Sequence, residues 1–80
     1  MPNLSRHRQD PLLVALGVAI RQVRKKKQIS QEKLALVAEL DRSYMGQVER
    51  GDNNVALLTL ARIAAALEVS ISDLLIEAGL

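Results

Sequence analysis

The sequence has no cysteine, no tryptophan and no phenylalanine, and Tyr44 is its single aromatic ring. The missing thiols exclude disulfide staples and thiolate metal sites, and they make a reducing cytoplasm the natural home. Hydrophobic residues make up 49% of the chain but aromatics only 1%. A core of Leu, Ile, Val and Ala with few strand-like runs points to an all-α domain. His7 is the only histidine and sits in a polar segment, so acid–base and metal chemistry lack their usual ligand clusters. Gly17, Gly46, Gly51 and Gly79 are too scattered for a phosphate loop, and no carboxylate pair sits beside a base. The apolar run "PLLVALGVAI" is ten residues, too short to cross a membrane. It has no small-x-small cleavage site, and its basic cluster follows rather than precedes it, against a signal peptide. The expectation is a non-enzyme with no cofactor, no metal, no membrane span and no small-molecule domain.

Eighty residues allow one domain, near the lower limit for a core without staples. The net charge of +2 is unevenly placed. Residues 1–54 carry ten of the eleven Lys and Arg against six acids, while 55–80 carry one against three. The basic part suits a polyanion, although "RKKK" (Arg24 to Lys27) also suits a helix C-terminus, whose dipole favours cations. Residues 1–10, "MPNLSRHRQD", are unpatterned and predict a mobile arm, leaving 11–80 as the domain. Asp10-Pro11 is a capped helix start, and Leu13, Leu16, Ile20 and Val23 continue its apolar stripe to about Lys27. Ser30 caps a second helix with Leu34, Ala35 and Val37 facing inward. Asp41 caps a third that reaches about Arg50, and "RGDNN" is a loop by composition. A fourth helix buries Leu57, Leu60, Ile63, Ala64 and Leu67. Ser70 and Asp73 form a capping box that opens a fifth, with Ile71, Leu74 and Leu75.

The third helix carries the functional signal. At about 100° per residue, Tyr44, Met45 and Val48 share one side, with Glu49 at its edge. Arg42, Ser43, Gly46, Gln47 and Arg50 share the other, which offers donors, acceptors and a glycine that lets a surface approach the backbone. A DNA major groove is such a surface, since it admits a helix and presents base edges to Arg, Ser and Gln. The preceding helix, Gln31 to Ala38, ends about three residues earlier, which is helix-turn-helix spacing. The stretch "SQEKLALVAELDRSYMGQVERGDNN", continued by "LLTLARIAAALEVSISDLL", resembles the phage repressor/Cro-like (XRE-type) helix-turn-helix family. It looks especially like the controller proteins of restriction–modification systems.

That resemblance implies a compact five-helix, lambda-repressor-like domain that regulates transcription as a homodimer on a roughly palindromic double-stranded operator. It implies base readout by Arg42, Ser43 and Gln47, and backbone contacts from Ser30, Gln31, Tyr44, Arg50, Asn53 and Asn54. It also implies an ion pair between Arg24 and Glu49. Glu39 and Glu68 stand where the family commonly has glycine, and Ala56 where it has a Ser cap. Both glutamates are thus expected to bear a positive φ or to alter their turns. Leu58 and Ile76 fall off the core stripes and Leu80 is apolar at the very end; together they predict a dimer interface on the C-terminal side, with Val14 and Val18 as the second candidate. The alternative reading is an antitoxin or protein-interaction module on the same fold. Such proteins usually carry an extra segment for the partner, and beyond the helices only residues 1–10 are spare.

Overall fold

A computed structural model describes residues 6–80, which form five helices with no strand among them. They are α1 (Pro11–Lys26), α2 (Gln31–Ala38), α3 (Arg42–Arg50), α4 (Leu57–Ala66) and α5 (Ile71–Glu77). Four of the five start with a side-chain cap that satisfies an amide the helix itself cannot. Asp10 accepts from the Leu12 amide, with Pro11 at the first helical position. Ser30 accepts from Lys33 and Asp41 from Tyr44. Ser70 and Asp73 bond each other's backbone amides reciprocally, a capping box with Asp in the Glu position. Only α4 begins without one, at Ala56.

Glu39 and Glu68 both take the left-handed conformation, with φ of 59° and 60°. Each non-glycine residue there costs about 1–2 kcal/mol. The turns keep the shape because the carbonyls behind them are satisfied. The Leu40 amide donates to Ala35 at 2.8 Å and the Val69 amide to Ala64 at 3.0 Å.

α1 packs on α3 and α5, α2 on α3 and α4, and α4 on α5. The shared core holds Leu16 and Ile20 of α1, Leu34, Ala35 and Ala38 of α2, and Met45 and Val48 of α3. Leu60, Ile63, Ala64, Leu67 and Leu74 complete it. Two residues read as inward lie outside. Val37 is exposed, because the buried face of α2 is centred on Leu34, Ala35 and Ala38 and turns Leu36 and Val37 away. Leu57 is exposed because it is the first residue of α4, whose burial begins at Leu60.

Two features lock α1 onto α3. Gly17 lies against the backbone of α3, where a Cβ would stand 2.5 Å from the Glu49 carbonyl oxygen and 2.6 Å from that of Val48. Above this crossing Arg24 and Glu49, each 8% exposed, form a two-pronged pair: Nε to Oε2 at 2.7 Å and Nη2 to Oε1 at 2.9 Å. Arg24 Nη1 also donates to the Ile29 carbonyl, and Gln31 Nε2 donates to Glu49 Oε1. The pair therefore joins α1, the α1–α2 connection, the start of α2 and α3.

Residues 1–5 of the expected arm lie outside the described residues. Residues 6–10 form a turn docked on the end of α3. The Gln9 amide donates to the Gly51 carbonyl at 2.6 Å, and the Gln9 side chain donates to the Arg50 carbonyl and to Asp52. Composition signalled a polar segment; it carried no sign of these long-range bonds.

Two stability predictions follow from the α1–α3 contact. Gly17→Ala must push backbone against backbone, and overpacking of this kind costs about 1–3 kcal/mol or more. In a domain this small each kcal/mol lowers the Tm by about 4–8 °C, so thermal melts should show a clear drop; an unchanged Tm would mean the helices separate freely. Glu49→Ala strands the buried Arg24 guanidinium and should cost about 3–5 kcal/mol, well beyond the exposed Glu32→Ala control. Equal effects of the two substitutions would remove the pair from the energetics of the fold.

Candidate nucleic-acid interface

The second helix of the pair, α3, is presented by its first turn. Asp41 closes the N-terminus, and Arg42 and Ser43 follow it, both exposed. Tyr44 turns partly into the core, and its burial pushes the phenol above its ordinary pKa. It therefore stays a neutral hydroxyl, and the ring packs against the core. Ser30 uses its hydroxyl as the cap of α2, and the half-buried Gln31 donates from Nε2 to Glu49 Oε1. Lys27 is exposed in the connection ahead of Ser30.

Gln47 does not reach the open face. It is 6% exposed, and its Oε1 accepts a hydrogen bond from Asn53 Nδ2. The cause lies beyond the helix. The chain turns back after α3 through the left-handed Gly51, the Asp52 amide donating to the Gln47 carbonyl at 2.8 Å, and sets Asn53 against the Gln47 side chain. Gln47 and Asn53 thus brace one another, and only Asn54 of the expected loop contacts is exposed. A direct base contact from Gln47 does not fit this arrangement.

Gly46 also differs from its expected role. It is buried rather than open to an approaching surface: a Cβ there would stand 3.2 Å from Arg50 Nη1 and 3.5 Å from Gln31 Oε1. The missing side chain makes room for the Arg50 guanidinium to lie back along the helix. Arg50 Nε donates to Asp52 Oδ2 at 3.1 Å, with the Arg50 side chain 62% exposed and that of Asp52 only 14%. Gln9 donates to the other Asp52 oxygen, and these two hydrogen bonds hold the carboxyl below its ordinary pKa, the Gln9 bond contributing most.

The turn between α2 and α3 is held by a residue that sequence reasoning missed. Arg62 of α4 donates from Nε to the Ala38 carbonyl at 3.1 Å and from Nη2 to the Glu39 carbonyl at 2.5 Å. A cation at the C-terminus of α2 is favoured by the helix dipole, and here it also satisfies carbonyls that the helix leaves unpaired. Arg62 is 23 residues away from Glu39, so no local pattern could announce it.

Away from α3, Leu58, Ile76 and Leu80 are exposed at 80%, 73% and 54%. The alternative pair is split: Val18 is exposed, but Val14 packs its backbone against Gly51. Among the described residues, no helix is long and apolar enough to cross a membrane. Nor does any group of three or more His, Asp or Glu among them suit a metal ion.

The arrangement has counterparts in known proteins. A helix-turn-helix family profile matches residues 20–74. The control protein C.SmaI of Serratia marcescens is 44% identical over 65 residues, covering 81% of this chain and 77% of its own length. The control protein C.BamHI of Bacillus amyloliquefaciens is 45% identical over 60 residues, 74% of each chain. The crystal structure of the restriction-modification controller protein C.AhdI of Aeromonas hydrophila superposes with a TM-score of 0.76 at 45% identity. That superposition covers 78% of this chain and 94% of that one. All three are control or controller proteins by name. A match over most of the α1–α5 core, with a capped and buttressed α2–turn–α3 unit, assigns the chain to the XRE-type helix-turn-helix family, as a DNA-binding transcriptional regulator of the controller-protein type.

Proposed function

We propose that the chain acts as a homodimer on a roughly twofold-symmetric DNA operator, with α3 of each protomer in a major groove. The observation that carries this reading is the first turn of α3. It shows Arg42 and Ser43 side by side and exposed, on a helix whose opposite side is clamped by Gly17 and by the buried Arg24–Glu49 pair. In helix-turn-helix docking the N-terminal residues of the second helix meet base edges, while the first helix crosses the backbone. Arg42 has the planar fork that matches O6 and N7 of guanine, and Ser43 can bond to either base of a pair. Ser30, Gln31 and the first amides of α2 lie toward the phosphates, with Arg50, Asn54 and the Tyr44 hydroxyl along the same rim. Gln47 acts from below, by fixing Asn53. In this reading occupancy follows protein concentration and cooperative binding to paired half-sites.

The dimer face is assigned to the α4–α5 side, where Leu58, Ile76 and Leu80 expose large apolar side chains. A small regulator gains from covering them, and pairing two reading helices on one face of the duplex requires a twofold axis between protomers.

The direct test is selection of duplexes from a random library by the full chain. Recovered sequences should share a symmetric pattern, and recovery without any pattern would reduce the protein to a non-specific binder. On the selected duplex, Arg42→Ala should relax preference at one base pair of each half-site, with a loss there of about 1–3 kcal/mol in discrimination and the rest of the pattern intact. A uniform loss on selected and random duplexes would make Arg42 a backbone contact. Ile76→Asp should convert the dimer to a monomer in sedimentation and lower affinity for the paired site. An unchanged dimer would move the interface elsewhere, with the exposed Val18 face next.

A further inference from the structure

The N-terminal segment and the loop after α3 meet at one acid that the DNA-binding reading does not use. Asp52 is mostly covered, yet it stands next to Arg50, a residue placed on the phosphate rim. An acid at a polyanion interface is unfavourable unless it does something there. Both of its carboxylate oxygens are engaged: Oδ1 by Gln9 Nε2 at 2.6 Å and Oδ2 by Arg50 Nε at 3.1 Å. Gln9 is itself tethered through its amide to the Gly51 carbonyl and through Nε2 to that of Arg50. It takes a left-handed φ of 64° to do so.

We propose that Asp52, held from behind by Gln9, is a positioning residue that presets the Arg50 guanidinium for a DNA phosphate. The proposal rests on the DNA-binding reading and deepens it. Three features of the geometry support it. The bond to Asp52 uses Nε, which leaves the Nη donors for a phosphate, with Nη1 lying over Gly46. The carboxylate is recessed, 14% exposed against 62% for Arg50, so the cation and not the acid faces outward. Gly46 leaves the space into which the guanidinium settles, with Nη1 about where a side chain would otherwise crowd it. A long flexible side chain ordered before binding does not have to be ordered by the DNA contact. The segment 6–10 is therefore part of the binding apparatus through its grip on Asp52.

The same ion pair could instead withhold Arg50 from DNA, and the two roles differ in the sign of one coupling. The experiment compares the full chain with Arg50→Ala, Asp52→Ala and the double variant, by fluorescence anisotropy on the selected duplex at fixed salt. With Arg50 absent, removing Asp52 relieves only repulsion and should tighten binding. With Arg50 present, the same removal should tighten binding less, or weaken it, with a coupling of about fivefold between the two backgrounds. Gln9→Ala should reproduce part of this effect when Arg50 is present and none when it is absent. Asp52→Asn serves as the isosteric form, and circular dichroism melts establish that each variant is folded. A purely structural role for Asp52 would shift both backgrounds equally, and that result overturns the proposal. A coupling of opposite sign overturns it in favour of a withheld Arg50. Selection that recovers no duplex overturns the DNA-binding reading itself, and the proposal with it.

Discussion

The buried pair of Arg24 and Glu49 sits where four segments meet, and the geometry of the reading helix depends on it. A charge at 8% exposure is tolerable only with its partner in place, so the register of α3 against α1 cannot drift without stranding one of the two. The two-pronged geometry adds directional constraint to the attraction, since an Arg fork accepts a carboxylate in one plane. Gly17 supplies the complementary constraint by letting the helices approach to backbone contact just where the pair closes. Gln31 then ties the first turn of α2 to the same carboxylate, so both helices of the motif are referenced to a single point.

From that fixed point the exposed face is built outward. Arg62 pins the carbonyls at the end of α2 and holds the turn that sets the angle between α2 and α3. Gln47 and Asn53 fasten the loop after α3 to the helix, and Gln9 and Asp52 fasten the N-terminal segment to that loop. Each brace is a polar contact across a large sequence separation or out of a loop. The residues left facing outward, Arg42, Ser43 and Arg50, are thus carried on a rigid support. Under the proposed base readout by Arg42 and Ser43 that support matters, because a bond is selective only when its donor arrives at a fixed place. The left-handed conformations of Glu39 and Glu68 show what the fold tolerates in return: local strain of the order of 1 kcal/mol each, offset by satisfied carbonyls and a packed core.

Much of this was legible in the sequence because it is local. Helix existence and starts follow from apolar spacing and from Asp10, Ser30, Asp41 and Ser70, whose side chains bond amides two or three residues ahead. The all-α class follows from residue types, and the α2–turn–α3 unit from spacing and family likeness. Family likeness also led to the strained turns at Glu39 and Glu68, since a missing glycine is visible in one dimension. Where the structure departs from the sequence pattern, tertiary contacts are the cause. Val37 and Leu57 lie outside because the width and centre of a buried stripe depend on what packs against it. Gln47 and Gly46 are buried because Asn53 of the following loop caps the one and the Arg50 and Gln31 side chains cover the other, neighbours that a helical wheel does not contain. The grip of residues 6–10 on Asp52, the cap supplied by Arg62 and the close crossing at Gly17 had no sequence signal, since each joins positions that only the folded chain brings together. Local hydrogen bonding and periodicity act within a few residues and are written in the order of the chain. Which polar side chains stay exposed and which brace the protein is decided by contacts between distant segments, and only the tertiary structure contains those.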